Sequence, residues 1–269
     1  MLKSLADLYR HRALIGVLTA RELKARYRGS VLGFFWSLLN PLLMLGVYTV
    51  VFQFIFPSKN PSTRPYALFL FCGLLPWNWL ASALTDASNS LIAHGGLLKK
   101  ILFPAEVLPV VAVLAQTVHF LLALPILFAG LLAGRLGLFE PAVPLGLPLL
   151  QLPFLLVLQG VFILGLGLLL AALTVHFRDV KDLLQTAISL WFFGTPILYV
   201  LPDLKSPRLE ALLRLNPAAP LFSAWHDTLF FGRWVSAGTW LYLSAMAALA
   251  FVLGYAFFDR LRDSFPEAV

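Results

Sequence analysis

Residues 21–41 read RELKARYRGSVLGFFWSLLNP, a short basic segment that runs without a linker into a long apolar, aromatic-rich stretch. Cationic side chains directly before about 20 apolar residues constrain a chain twice: a membrane-spanning helix begins there, and its start faces the cytoplasm. Gly29 and Ser30 mark a corner where the backbone can bend. Arg21, Lys24, Arg26 and Arg28 then lie at headgroup level, where anionic lipid attracts each by about 1 kcal/mol. By itself the segment reads equally well as an ordinary topology anchor.

The rest of the chain agrees with a membrane setting. It is 60% hydrophobic and 12% charged, where soluble domains carry roughly 25% charged residues, and its mean hydropathy is +0.85. The net charge of +7 does not argue for nucleic acid, because seven of the 20 Lys and Arg residues precede residue 31, beside a span. Cys72 is the single cysteine, so no intrachain disulfide is possible. The first apolar run is too long for the core of a cleavable leader.

Leucines mixed with Lys3, Arg10 and Arg12 suit a helix lying on the membrane, so residues 1–30 form a basic interfacial unit. Six spans are expected across residues 31–258, at 31–56, 66–84, 107–132, 145–175, 183–201 and 235–258. Pro41 predicts a kink in the first, and the second trails into a polar stretch at 85–90. Residues 94–109 are too short to cross, and Lys99 and Lys100 set them inside. Residues 201–234 are longer than a turn and less apolar than a span. They predict two short helices broken at Asn216-Pro217, a hairpin dipping into the outer leaflet. Residues 259–269 are a short tail. Six spans put both ends on one side, and on that assumption 13 Lys and Arg lie inside against seven outside.

The chemistry is sparse. There is no nucleotide phosphate loop, no His-Glu-x-x-His and no Gly-x-Ser-x-Gly. The five histidines have no ligand spacing, so no metal is expected; His119 alone lies within a span and reads as hydrogen-bonded between helices. An embedded transferase or hydrolase would need a cluster of acids or histidines that cannot be assembled. Carriers coupled to ions or protons need carboxylates near mid-membrane, whereas Asp86 and Glu106 stand at the inner ends of their helices. Transport would then be powered from outside the chain. Tyr48, Phe52 and Phe56 follow i, i+4, i+8 spacing, and Trp191, Phe192 and Tyr199 crowd the fifth span, with Trp191 and Tyr199 two turns apart. These rings read either as packing and lipid-facing aromatics or as the wall of a conduit, since aromatic faces stack on the C–H faces of sugars.

Four motifs in order carry a resemblance over essentially the whole chain: residues 21–52, LLKKILFPAEVLP at 97–109, FRDVKDLLQ at 177–185 and LNPAAPLFSAWHDTLFFG at 215–232. Together they resemble the ABC-2-type permeases that export lipid-linked polysaccharides such as O-antigen and teichoic acid. The resemblance implies an all-α membrane fold of six transmembrane helices, with an interfacial helix, a cytoplasmic coupling helix and an outer re-entrant hairpin. It implies a homodimer in the bacterial cytoplasmic membrane, both termini cytoplasmic, docked to two ATPase subunits that bind the ATP and Mg²⁺; this chain holds no cofactor and is no enzyme. The cargo would be a polyprenyl-linked glycan, with a small-molecule or drug exporter as the alternative. Leu97, Leu98, Lys99, Lys100, Ile101, Phe103, Pro104, Glu106, Arg178 and Asp179 would then couple to the ATPase. Leu97, Leu98, Ile101 and Phe103 would form its apolar knob. Arg21, Lys24, Arg26 and Arg28 would meet the lipid anchor's head, Tyr48, Phe52, Phe56, Trp191, Phe192 and Tyr199 would line the channel, and Asn216, Pro217 and His226 would form an outer gate. Ala105 and His226 stand where the family commonly has Arg.

Overall fold

The computed structural model describes residues 10–55, 60–100, 103–138, 141, 143–177 and 179–269. All regular structure among them is helical. Helix α1, Arg12–Arg26, lays Ile15 against Val107, Val110 and Val111. Gly29, in the left-handed region at φ 82°, turns the chain toward α2, Trp36–Val50, which ends in a π-helical turn at Val51–Ile55. The central helix is α3, Tyr66–Ala93, buried on almost every side and flanked by α5 and α6. Next come α4 (Gly95–Lys100), α5 (Val107–Arg135), α6 (Leu152–His176, entered through a 3₁₀ turn) and α7 (Val180–Phe193). The chain closes with α8 (Pro207–Arg214), α9 (Ala219–Leu229), α10 (Ala237–Leu261) and α11 (Phe265–Ala268).

Among the described residues, four helical stretches are long and apolar enough to cross a membrane: Tyr66–Ala93, Val107–Arg135, Leu147–His176 and Ala237–Ala268. Helix α2 is apolar but shorter. The chain is thus a multi-pass, all-helical membrane protein. Two boundaries differ from the sequence reading. The second span was expected to fade at residue 84, but α3 continues to Ala93. There the Thr85, Ser88 and Ser90 hydroxyls donate to the Ala81, Thr85 and Ala87 carbonyls at 2.7–2.8 Å, so the polar stretch satisfies itself within the helix. The fifth was expected to run from 183 to 201, but α7 stops at Phe193. Gly194 follows, and Pro196 lacks an N–H and clashes with a continuing helix. Tyr199 is therefore not two helical turns along from Trp191.

The break at Asn216-Pro217 falls where expected, with Ser206 Oγ capping α8 by accepting the Leu209 N–H. The tail does not hang free. Phe265 is fully buried, 5.0 Å from the Phe258 ring, in a cluster that also holds Leu91, Leu98 and Leu108. Ser264 Oγ meets His176 Nε2 at 3.0 Å. The ends of α3, α6 and α10 and the starts of α4 and α5 therefore gather at one end of the molecule.

Candidate substrate passage

A cleft of about 530 Å³ opens between α2, α3 and α5, with Arg26 and Tyr27 in its lining. Asn40 and Tyr48 of α2 and Asn78 and Ser82 of α3 line it, with Gln116 and His119 of α5 behind them. Tyr27 Oη lies 2.7 Å from Ser37 Oγ and 3.2 Å from His119 Nδ1, so His119 does bridge helices. Arg26 Nη2 donates to Asp86 Oδ2 at 3.3 Å, and Gln116 Nε2 donates to the same oxygen. A second cavity of about 180 Å³, lined by Arg21, Glu22, Asn89 and Leu97, lies beside this pair. Arg26 lines both cavities, while Asp86 lines the second alone.

The lipid-anchor candidates Arg21, Lys24, Arg26 and Arg28 are all exposed, but Arg26 is held by Asp86. Sequence reasoning set Asp86 aside as a helix-end acid and passed over Asn78, Ser82 and Gln116. Their signal was available: a polar residue about once per turn on an otherwise apolar span.

The channel candidates separate. Tyr48 lines the cleft. Phe52 packs edge-on to Tyr66 at 4.8 Å at the margin of the core, with its ring 6.4 Å from that of Tyr48, and it does not line the cleft. Phe56 lies outside the described residues. Phe192 packs on Trp77 at 5.6 Å, and Trp191 donates its Nε1–H to Asn216 Oδ1 at 2.8 Å. Tyr199, beyond the helix end, donates to the Phe193 carbonyl at 3.0 Å and lines a separate cavity.

The coupling candidates separate as well. Leu98 is buried in the chain's own second cluster and so turns inward, and half-buried Phe103 packs against the same cluster. Lys99 is exposed, and Leu97 and Pro104 are half-buried. Of Lys100 only the backbone is described, while Ile101 and Arg178 lie outside the described residues. Glu106 is buried, with one carboxylate oxygen lacking a partner among the described residues. Asp179 is exposed at the start of α7.

At the opposite end, Asn216 is a knot. Besides holding Trp191, its Oδ1 accepts the Ala218 N–H at 3.0 Å, and its Nδ2 donates to Gly194 O and Thr195 Oγ1 at 2.8 and 2.9 Å. Pro217 is exposed, and its carbonyl accepts from Tyr242 Oη at 3.2 Å. His226 is buried, stacked on Phe69 at 4.1 Å with an interplanar angle of 9°. Its Nε2–H donates to the Phe69 carbonyl at 3.1 Å. A Cβ on Gly73 would lie 2.9 Å from that ring, so Gly73 makes the room. Nearby, Asp203 accepts from Asn60 Nδ2 at 2.8 Å and Ser62 Oγ at 2.5 Å, clasping two loops. Those bonds, Ser62's first, hold its carboxyl below the ordinary range.

A family model described as ABC-2 type transporter matches residues 13–230. The chain belongs to the ABC-2 type transporter family. It is similar to the O-antigen export system permease protein RfbA of Myxococcus xanthus, 33% identical over 271 residues that cover 100% of each chain. Two proteins of the same description from Klebsiella pneumoniae are 32% and 31% identical, each aligned over 94% of both chains. The matched region contains the cleft, the Arg26–Asp86 pair and the α8–α9 hairpin, while α10 and the tail lie beyond it.

Proposed function

We propose that this chain is the membrane permease of an ATP-driven exporter that moves a lipid-linked polysaccharide across the bacterial cytoplasmic membrane. The observation that carries the reading is the full-length similarity to O-antigen export permeases. The cleft supports it. Apart from Arg26 and His119, its polar lining is hydroxyl, phenol, amide and indole, which offers sugars exchangeable hydrogen bonds without fixed charge to stall a polymer. No observation favours a small-molecule exporter.

The working unit is a homodimer with two ATPase subunits. Helix α2 leaves Leu42, Leu43, Val47 and Val50 exposed, and α7 leaves Leu183, Leu190 and Phe193. Pairing through these faces about a two-fold axis encloses the open side of the cleft. The ATPases supply ATP and Mg²⁺ chemistry and meet the inner end around Lys99 and Asp179. Both termini are cytoplasmic and the chain crosses six times. Helix α2 with its π turn reaches about 30 Å, and α7, at about 21 Å, is completed by residues 194–201 with the outer hairpin.

The lipid anchor's anionic head enters at Arg21, Lys24, Arg26 and Arg28. Deleting the gene should strip the cell surface of its polysaccharide and leave lipid-linked glycan inside, both read on immunoblots, and the wild-type gene should restore export. With Arg28→Gln, the lipid-linked substrate needed for half-maximal ATPase stimulation should rise roughly fivefold, the worth of one headgroup contact. Unchanged surface glycan together with new drug sensitivity in the deletion strain would instead make this a small-molecule exporter.

A further inference from the structure

At the end opposite the described termini, a cavity of about 280 Å³ lies between the α7–α8 connection and α9. Tyr199 and Phe231 give it aromatic walls, and the buried His226 lies beneath them. Within residues 221–230, Ser223 and Asp227 are the two positions that are not buried. They stand one turn apart on α9 and both line the cavity. Neither side chain makes a hydrogen bond among the described residues, and neither does the Arg233 guanidinium across from them, which lies 4.8 Å over the Phe231 ring and acts on Asp227 through its charge.

These groups are rigidly presented. The Arg233 N–H donates to the Asp227 carbonyl at 2.7 Å. Its own carbonyl accepts from Gln151 Nε2 at 3.1 Å, and Gln151 Oε1 accepts the Val235 N–H at 2.9 Å. Gly232 sits at φ 59°, and a Cβ there would lie 2.4 Å from the Pro144 carbonyl oxygen, so the turn that carries Arg233 admits glycine. Tyr199 is anchored through its hydroxyl to Phe193.

We propose that this cavity is a saccharide-binding site that takes one sugar ring of the exported chain. The C–H face of the ring rests on Tyr199, Asp227 accepts from hydroxyls, Arg233 donates to them, and Ser223 reaches a further one. Ser223 and Asp227 are half-buried and Arg233 is exposed, and their open hydrogen-bonding capacity calls for a ligand or water. A carboxylate, a guanidinium and a hydroxyl beside aromatic faces are matched to a polyhydroxylated ring rather than to an acyl tail or a bare anion. The volume is at the small end for ligand sites, about 300 Å³ upward, which favours a single ring. That the sugar belongs to an exported polymer rests on the function proposed above; a free sugar from outside the cell would satisfy the same chemistry.

The test uses the full-length permease in lipid nanodiscs and saturation-transfer NMR with D-glucose, D-galactose, D-mannose and L-rhamnose at millimolar concentration. At least one sugar should receive saturation. The effect should weaken about tenfold in Asp227→Asn, the worth of a hydrogen bond to a charged group, and be lost in Tyr199→Ala. Tyr199→Phe keeps the aromatic face and gives up the Phe193 hydrogen bond, so it should bind more weakly than wild type but still measurably, and an unchanged thermal midpoint in Tyr199→Ala separates lost stacking from a folding defect. No transfer to any of the four sugars, or equal transfer in wild type and Asp227→Asn, overturns the site. In cells, Asp227→Asn should slow the appearance of surface glycan; an unchanged rate with binding lost overturns the assignment to the exported chain. A deletion strain with normal surface glycan would remove the export reading while leaving the nanodisc result standing.

Discussion

Asn216 shows how much one side chain can decide. Its amide uses both ends, accepting from Trp191 and Ala218 and donating to Gly194 and Thr195, so the end of α7 and the start of α9 are tied through a single residue. The sequence marks Asn216-Pro217 as a break and suggests a hinge; the contacts make the same residue a fastening. Asn216→Ala leaves an indole N–H and a carbonyl without partners, which costs about 1–3 kcal/mol. The variant should lower the thermal midpoint of the detergent-solubilised protein and change Trp191 emission. Faster glycan export with an unchanged midpoint would restore the hinge. His226 carries a similar lesson, because a histidine at a position the family gives to Arg reads as surface chemistry until Gly73 and Phe69 are seen to enclose it.

Among the elements, α6 and α10 make the closest helix contact. A Cβ on Gly254 would lie 1.9 Å from the Gly165 carbonyl oxygen, and one on Gly165 would lie 2.4 Å from the Ala250 carbonyl carbon. Backbone cannot move aside as a flexible side-chain end can, so two glycines set the helix separation, as small residues do between membrane helices. Gly254→Ala should destabilise the protein by about 1–3 kcal/mol, or more if the helices cannot part. Gly160→Ala, whose nearest neighbour would be Trp79 at an ordinary 3.7 Å, should be tolerated. Thermal midpoints of the two variants check this, and equal loss in both would show that the glycines serve helix flexibility instead. The apolar runs located these helices. Nothing in the runs told Gly165 and Gly254, which meet backbone to backbone, from Gly160, which does not.

For the whole molecule the decisive fact is which ends meet. Arg26 reaches Asp86, His176 reaches Ser264, and Phe265 fills a cluster with Leu98. The start of α2, the end of α10 and α4 thus share one end, while Asp203 and the hairpin share the other. In the membrane this arrangement predicts opposite sides for Ser206 and Ser264. Single cysteines at those positions should react with an impermeant maleimide from outside at Ser206 and only after lysis at Ser264. Native Cys72 is fully buried and should stay silent. Labelling of Ser264 in intact cells would invert the topology and remove the coupling end from the cytoplasm.

The sequence by itself determined the membrane class, the helical character of nearly every segment and the family, because run length, polarity and short motifs are local properties. Even the α8–α9 break was legible, since Pro217 acts on its own neighbours. Only the tertiary structure decided which side chains meet. Arg26 and Asp86 are 60 residues apart, Asn60 and Asp203 are 143 apart, and His226 and Phe69 are 157 apart. Those pairings depend on which faces of separate helices turn toward each other. The same cause turned Leu98 inward, moved Tyr199 off α7 and placed Ser223, Asp227 and Arg233 around one cavity. Hydrophobic periodicity says that a helix has faces, and packing alone says what each face touches.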